Sequence, residues 1–100
     1  MRIKMQDGTV VDTTKAQAHW EEDREFDGRN MVSVATGDQW THEKLYRSRK
    51  GRYYIVHTSQ WQGSRDWAEW IGPERAAAWL VANDHLIPQE LEDAAEKVTE

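Results

Sequence analysis

The sequence predicts an α+β domain, with an N-terminal β-hairpin, an antiparallel meander sheet and C-terminal helices packed on one face. Three observations predict it. Short runs of alternating apolar and polar residues, punctuated by single glycines, recur as far as Ile71. From Pro73 onward the apolar spacing changes to three and four. No linker, repeat or low-complexity stretch interrupts the 100 residues, so a single domain over 1–100 is expected.

The first elements follow from alternation and turn chemistry. Ile3 and Met5 alternate with Arg2, Lys4 and Gln6, and Asp7-Gly8 precedes Thr9-Val10-Val11-Asp12. Asp-Gly between two such runs predicts a tight type I′ hairpin, in which both central residues take positive φ. Thr13 or Thr14 can cap a helix over Lys15 to Glu25, with Ala16, His19 and Trp20 near one face. Asp27-Gly28-Arg29-Asn30 reads as a turn, Met31 to Thr36 as a β-branched strand, and Gly37-Asp38 as a break.

The meander comes next. Glu43 to Ser48 and Arg52 to Thr58 flank Arg49-Lys50-Gly51. There the glycine suits the left-handed position that closes a type I turn with a bulge. Tyr53-Tyr54-Ile55-Val56 is apolar on both faces, which predicts the most central strand. Gln62-Gly63-Ser64 is a further turn, and Arg65 to Ile71 a strand with Trp67, Glu69 and Ile71 on one face.

Gly72-Pro73-Glu74 opens a helix. Proline fits the first helical position, and the glutamate faces the positive end of the dipole. Ala76, Trp79 and Leu80 form its stripe, and Asn83, which tolerates a left-handed cap, ends it. Ile87, Leu91, Ala94 or Ala95, and Val98 carry a second, acidic helix.

Composition bounds the core. Leu, Ile, Val and Phe number only sixteen, below the fifth of the chain at which disorder becomes a concern. Six Trp and three Tyr oppose that, since each ring can bury about 150–250 Å². A core of aromatics and alanine rather than leucine is therefore expected. At 11.7 kDa the folded chain should expose about 5,900 Å². There is no cysteine, which excludes disulfides, thiolate metal sites and cysteine nucleophiles. No apolar run approaches the roughly 18 residues of a membrane span or forms a signal peptide, so a cytoplasmic protein without membrane contact is expected.

Charge is unevenly spread. The chain carries −5 overall, yet residues 41–60 carry +4 and residues 83–100 carry −5. Arg47, Arg49, Lys50 and Arg52 cluster on the tip of the expected central hairpin, with Tyr53 and Tyr54 following. Such a tip can grip phosphates beside aromatic rings. It can equally serve as a solubilising turn that protects an edge. The acidity of the whole chain argues against nucleic acid, whose binding domains are usually strongly basic. Trp40 and Trp61 are the tryptophans expected nearest the surface, where rings beside arginine commonly anchor protein interfaces. The acidic C-terminal helix could pair with the basic hairpin of a second copy.

No catalytic pattern emerges. His19, His42, His57 and His85 stand in no metal-binding spacing, and the serines lie in no nucleophile elbow. His57 with a remote carboxylate is the one catalytic arrangement left open. The acidic run Glu21, Glu22, Asp23, Glu25 and Asp27 reads as a solvated helix face or turn. No enzyme activity, cofactor or metal is expected.

The stretch Glu43-Lys44-Leu45-Tyr46-Arg47-Ser48-Arg49-Lys50-Gly51-Arg52-Tyr53-Tyr54, followed by Pro73-Glu74-Arg75-Ala76-Ala77-Ala78-Trp79-Leu80, resembles a pattern of small bacterial and phage-associated proteins of unsettled activity. The likeness spans about residues 43–85. It implies a bacterial cytoplasmic context and transfers no site residues. The reading is thus a non-catalytic interaction module that binds a protein partner or itself through Arg47, Arg49, Lys50, Arg52, Tyr54, Trp40 and Trp61. The alternative is a nucleic-acid-binding accessory protein using the same basic tip.

Overall fold

A computed structural model describes residues 1–26, 28–37, 39–60 and 65–100. It is α+β. Strands β1 (Arg2–Lys4) and β2 (Val10–Asp12) form the N-terminal hairpin. Strands β3 (Ala18–Glu21), β6 (Thr41–Arg47), β7 (Tyr53–Ser59) and β8 (Trp67–Ile71) form an antiparallel sheet in that order. Strands β4 (Arg24–Phe26) and β5 (Met31–Ser33) make a second ribbon, and α1 (Pro73–Ala82) and α2 (Glu92–Lys97) close the chain.

The four-stranded sheet is covered on both faces, by different elements. Leu45, Tyr53 and Ile55 point to one face and pack against Ala76, Ala77, Trp79 and Leu80 of α1 and Leu91 and Ala94. Tyr46, Tyr54, Val56 and Ala68 point to the other and pack against Ile3, Met5 and Val11 of the N-terminal hairpin. Successive side chains of a strand alternate faces, so an apolar run such as Tyr53 to Val56 feeds both cores at once. All four residues are buried, and β7 is a central strand as its sequence predicts.

The core is mixed. Leu45, Leu80 and Leu91 are fully buried beside the tyrosines and alanines, whereas Trp79 is the one described tryptophan that is buried. The expected core of aromatics and alanine is present, with tyrosine carrying most of the aromatic share, but the expected absence of leucine from it is corrected. The molecule measures 38 × 35 × 19 Å and exposes 6897 Å², more than the expected value, because a thin slab has much surface for its mass.

Both hairpins use the same turn. Gly8 N–H donates to the Met5 carbonyl (3.0 Å) and Met5 N–H to the Thr9 carbonyl (2.7 Å), with Gly8 at φ +88°. Gly51 N–H donates to the Ser48 carbonyl (2.9 Å) and Ser48 N–H to the Arg52 carbonyl (2.6 Å), with Gly51 also at φ +88°. This is a type I turn closed by a left-handed glycine. It matches expectation at Gly51 and replaces the type I′ turn expected at Asp7-Gly8, because Asp7 keeps negative φ.

The helix expected over Lys15 to Glu25 is absent. Asp12 accepts from Thr14 N–H (3.0 Å) and caps only a 3-10 turn, Thr13–Lys15. Ala18 and Trp20 then face the helices while His19 and Glu21 face away. Pairing with β6 outweighs the weak helical preference of this polar stretch. The strand expected over Met31 to Thr36 ends at Ser33. At the end of α1 the left-handed residue is Asp84 (φ 62°) rather than Asn83, whose side chain is buried and accepts from Asp23 N–H (2.9 Å). His85 bonds the Glu21 carbonyl (2.5 Å) and stacks with Trp79, which fastens this end of α1 to β3. The turn expected at Gln62-Gly63-Ser64 lies outside the described residues.

Candidate ligand-binding groove

On the hairpin-covered face an aromatic row crosses all four strands. His19, Tyr46, Tyr54 and Trp70 occupy partnered register positions on β3, β6, β7 and β8. Tyr46 stacks on Tyr54 (centroids 5.1 Å, 6°), and Tyr54 meets Trp70 edge to face (5.6 Å, 80°). Arg52 then lies over the Trp70 ring at 3.9 Å.

A groove of about 350 Å³ runs along the end of this row, between the N-terminal hairpin and the basic tip. Thr9, Val10, Val11, Asp12 and Lys15 line one wall; Ser48, Arg49, Lys50 and Arg52 line the other; Tyr54 and Trp70 complete it. Four cationic side chains from separate parts of the chain thus border one cleft. One buried donor there, the Tyr54 hydroxyl, has no hydrogen-bond partner, while the buried Trp70 N–H has no well-formed bond and leans on the exposed Asp7 carboxyl, which it helps to hold down. Burial, with smaller repulsion from Tyr46 and Asp12, pushes the Tyr54 phenol up to about 12, which keeps it a protonated donor. The two acids nearby are already engaged. The Thr9 hydroxyl and N–H hold Asp7 below the usual carboxylate range, and the Thr14 hydroxyl and N–H do the same for Asp12.

The seven residues singled out from sequence do not form one surface. Arg49, Lys50, Arg52 and Tyr54 line the groove, though Tyr54 is buried in its floor rather than presented. Arg47 points to the helix face and pairs with Glu90 (3.3 Å), which also accepts from the Tyr53 hydroxyl (3.3 Å). Arg47 of the basic hairpin and Glu90 of the acidic C-terminal segment are thus matched within the chain. Trp40 is exposed but lies at the opposite end of the β6–β7 hairpin, where its carbonyl accepts from Gln60 N–H (2.8 Å). That is roughly 20 Å away at about 3.3 Å per strand residue. Trp61 lies outside the described residues. Lys15 and Trp70 complete the groove and were not singled out. Trp70 could have been found by extending the Tyr46–Tyr54 register one strand further, whereas no local signal marks Lys15.

The helix-covered face carries a second polar cluster. His57 contacts Glu69 (2.7 Å) through Nε2 and Glu43 (3.5 Å) through Nδ1, and its ring stacks on Trp67 (3.9 Å, 7°). Trp79 Nε1 donates to Glu43 (2.9 Å), and Arg75 pairs with Glu69. A cavity of about 200 Å³ beside His42, His57, Arg65 and Trp67 adjoins it. Both carboxylates are tied down by other donors, so His57 sits in a satisfied network. Among the described residues no metal-binding group gathers, and no helix is long and apolar enough to cross a membrane. Set against protein families, curated proteins and solved structures, the chain matches none.

Proposed function

We propose that this chain is a small non-catalytic binding module, and that the groove between its two hairpin tips receives a negatively charged group of its partner. One observation carries the reading. In a chain of net charge −5, Lys15, Arg49, Lys50 and Arg52 converge on a single cleft. Like charges gathered at one place repel; Asp12 offsets Lys15 and Asp7 offsets Arg52 in part, and a bound anion would offset the rest. The binding surface is then cationic and recessed, in place of exposed tryptophans beside a basic tip. The nucleic-acid reading draws on the same cations, and the Arg52 guanidinium, stacked on Trp70, offers a plane on which a base can stack. The acidity of the rest of the chain works against it.

The test is a panel of anions (citrate, inorganic phosphate, an acidic peptide and a single-stranded oligonucleotide) titrated into the wild type and into the double variant Arg49→Glu, Lys50→Glu at low salt. At least one should bind the wild type, weaken as salt rises, and lose tenfold or more in the variant, while circular dichroism stays unchanged. Equal binding by both proteins, or none by the wild type, removes the reading.

A further inference from the structure

We infer that the groove is a receptor for the terminal phosphoryl group of a small organic phosphate of about mononucleotide size. This rests on the anion-binding reading above and specifies its ligand. The Tyr54 hydroxyl is a buried donor without a partner, and the Trp70 N–H is shared with the exposed Asp7 carboxyl, in a groove lined by four cations and by Asp12, Thr9 and Ser48. A buried donor without a partner costs free energy, and native structures rarely keep one without use. A bound acceptor oxygen would satisfy the Tyr54 hydroxyl.

Depth selects the kind of anion. Tyr54 is only 1% exposed, so its hydroxyl lies below the rim set by Arg49, Lys50 and Arg52. A terminal phosphoryl group is the narrow end of a molecule and can descend to it. A phosphodiester carries a sugar on each side and stays at the rim. Charge selects likewise. A phosphate monoester carries about −1.5 to −2 at neutral pH and three acceptor oxygens, enough for a buried neutral donor and several cations together. A carboxylate offers two oxygens and a single charge. Asp12 also lines the groove, but its carboxylate accepts from Thr14 N–H (3.0 Å) and the Thr14 hydroxyl (2.6 Å) and sits 3.8 Å from the chain's amino group. The groove volume of about 350 Å³ falls within the usual 300–1,000 Å³ of small-ligand clefts. The net charge of −5 opposes a long polyanion at distance and barely affects a small dianion once screened.

The experiment titrates the full chain with inorganic phosphate, AMP, citrate and an oligonucleotide lacking terminal phosphates, by calorimetry and tryptophan fluorescence. AMP should bind more tightly than inorganic phosphate, and both more tightly than citrate. Tyr54→Phe should weaken AMP about tenfold or more, the usual effect of losing a hydrogen bond to a charged group, with its melting temperature not lowered. Trp70→Phe, which keeps a ring over the same β-strand and loses the N–H, should act in the same direction. AMP affinity unchanged in both variants overturns the inference. So does an oligonucleotide that binds where AMP does not, although anion binding would then stand. If no anion on the panel binds, both readings fail.

Discussion

Arg52 lays its guanidinium over the Trp70 ring at 3.9 Å and thereby joins the root of the basic tip to the edge strand β8. The pairing follows from register: Tyr54 is partnered with Trp70, and Arg52 precedes Tyr54 by two residues, on the same face. Arg52 is exposed, so the contact is worth about 0.5–1 kcal/mol. Arg52→Ala should lower the unfolding free energy from urea melts by that amount and make Trp70 more accessible to acrylamide quenching. A quenching profile identical to wild type would show that the stack does not form.

Tyr54→Phe tests the orphaned hydroxyl by stability alone. Removing a buried hydroxyl that has a partner typically costs about 1 kcal/mol, whereas removing one without a partner is neutral or stabilising. The Tyr54 hydroxyl has none, so the variant should unfold at an equal or higher urea concentration. The same burial raises the phenol to about 12, from the ordinary 10.0. The folded state therefore holds this proton more tightly than the unfolded chain. The corresponding stability is complete below pH 10 and is lost as pH rises toward 12. Tyr54→Phe should flatten that part of the alkaline stability curve, measured by urea midpoints.

Gly8 and Gly51 occupy equivalent positions at φ +88°. A Cβ at Gly51 would meet only the Arg47 guanidinium at 3.5 Å, an ordinary contact, and one at Gly8 would meet nothing. The cost of substitution is thus backbone strain, about 1–2 kcal/mol for a left-handed alanine. Gly8→Ala and Gly51→Ala should each destabilise by that amount in denaturant melts, and Gly51→Asn by less, since asparagine tolerates the conformation.

Most of this architecture was legible where chemistry is local. The Ser48-to-Arg52 turn, the central place of Tyr53 to Val56 and the start of α1 at Pro73 all follow from residues within a few positions of each other. The segment 15–25 was not legible, because Ala18–Glu21 is claimed by β6, more than twenty residues away, and Arg24 and Glu25 by β5. The groove was half legible: its basic wall is contiguous in sequence, while Lys15 and Trp70 reach it only through tertiary folding.

Glu21 and Glu22 show how far a direction of side chain decides worth. Both belong to an acidic run that reads as solvated. Glu21 is indeed 68% exposed and pairs with Lys44 (2.8 Å). Glu22 is only 4% exposed and accepts from the Ser33 hydroxyl, from Glu43 N–H (2.9 Å) and from His42 Nδ1 (2.5 Å). It binds β5 and β6 to the loop after β3. Glu22→Ala should cost about 2–4 kcal/mol by leaving these buried groups unpaired, and Glu21→Ala less than about 1 kcal/mol. Equal urea midpoints for the two variants would refute the assignment.

The acid limb of stability should answer to Arg75. Burial pushes the Glu69 carboxyl up, but the hydrogen bonds from Arg75 and His57, with their charges, bring it below its ordinary 4.5. The unfolded chain therefore holds this proton more tightly than the folded one. The contribution is complete above pH 4.5 and is lost as pH falls through the lower folded value. Arg75→Gln removes the strongest of the lowering influences and leaves burial in place, so the Glu69 carboxyl should titrate at higher pH by carbon NMR. Because Arg75 is more than half exposed, the stability change should stay within about 1 kcal/mol and shrink with salt. Urea midpoints of the variant should fall below wild type near neutral pH and converge with it under strong acid, where Glu69 is protonated in both proteins. A constant difference at every pH would place the effect of Arg75 in packing instead of in its charge.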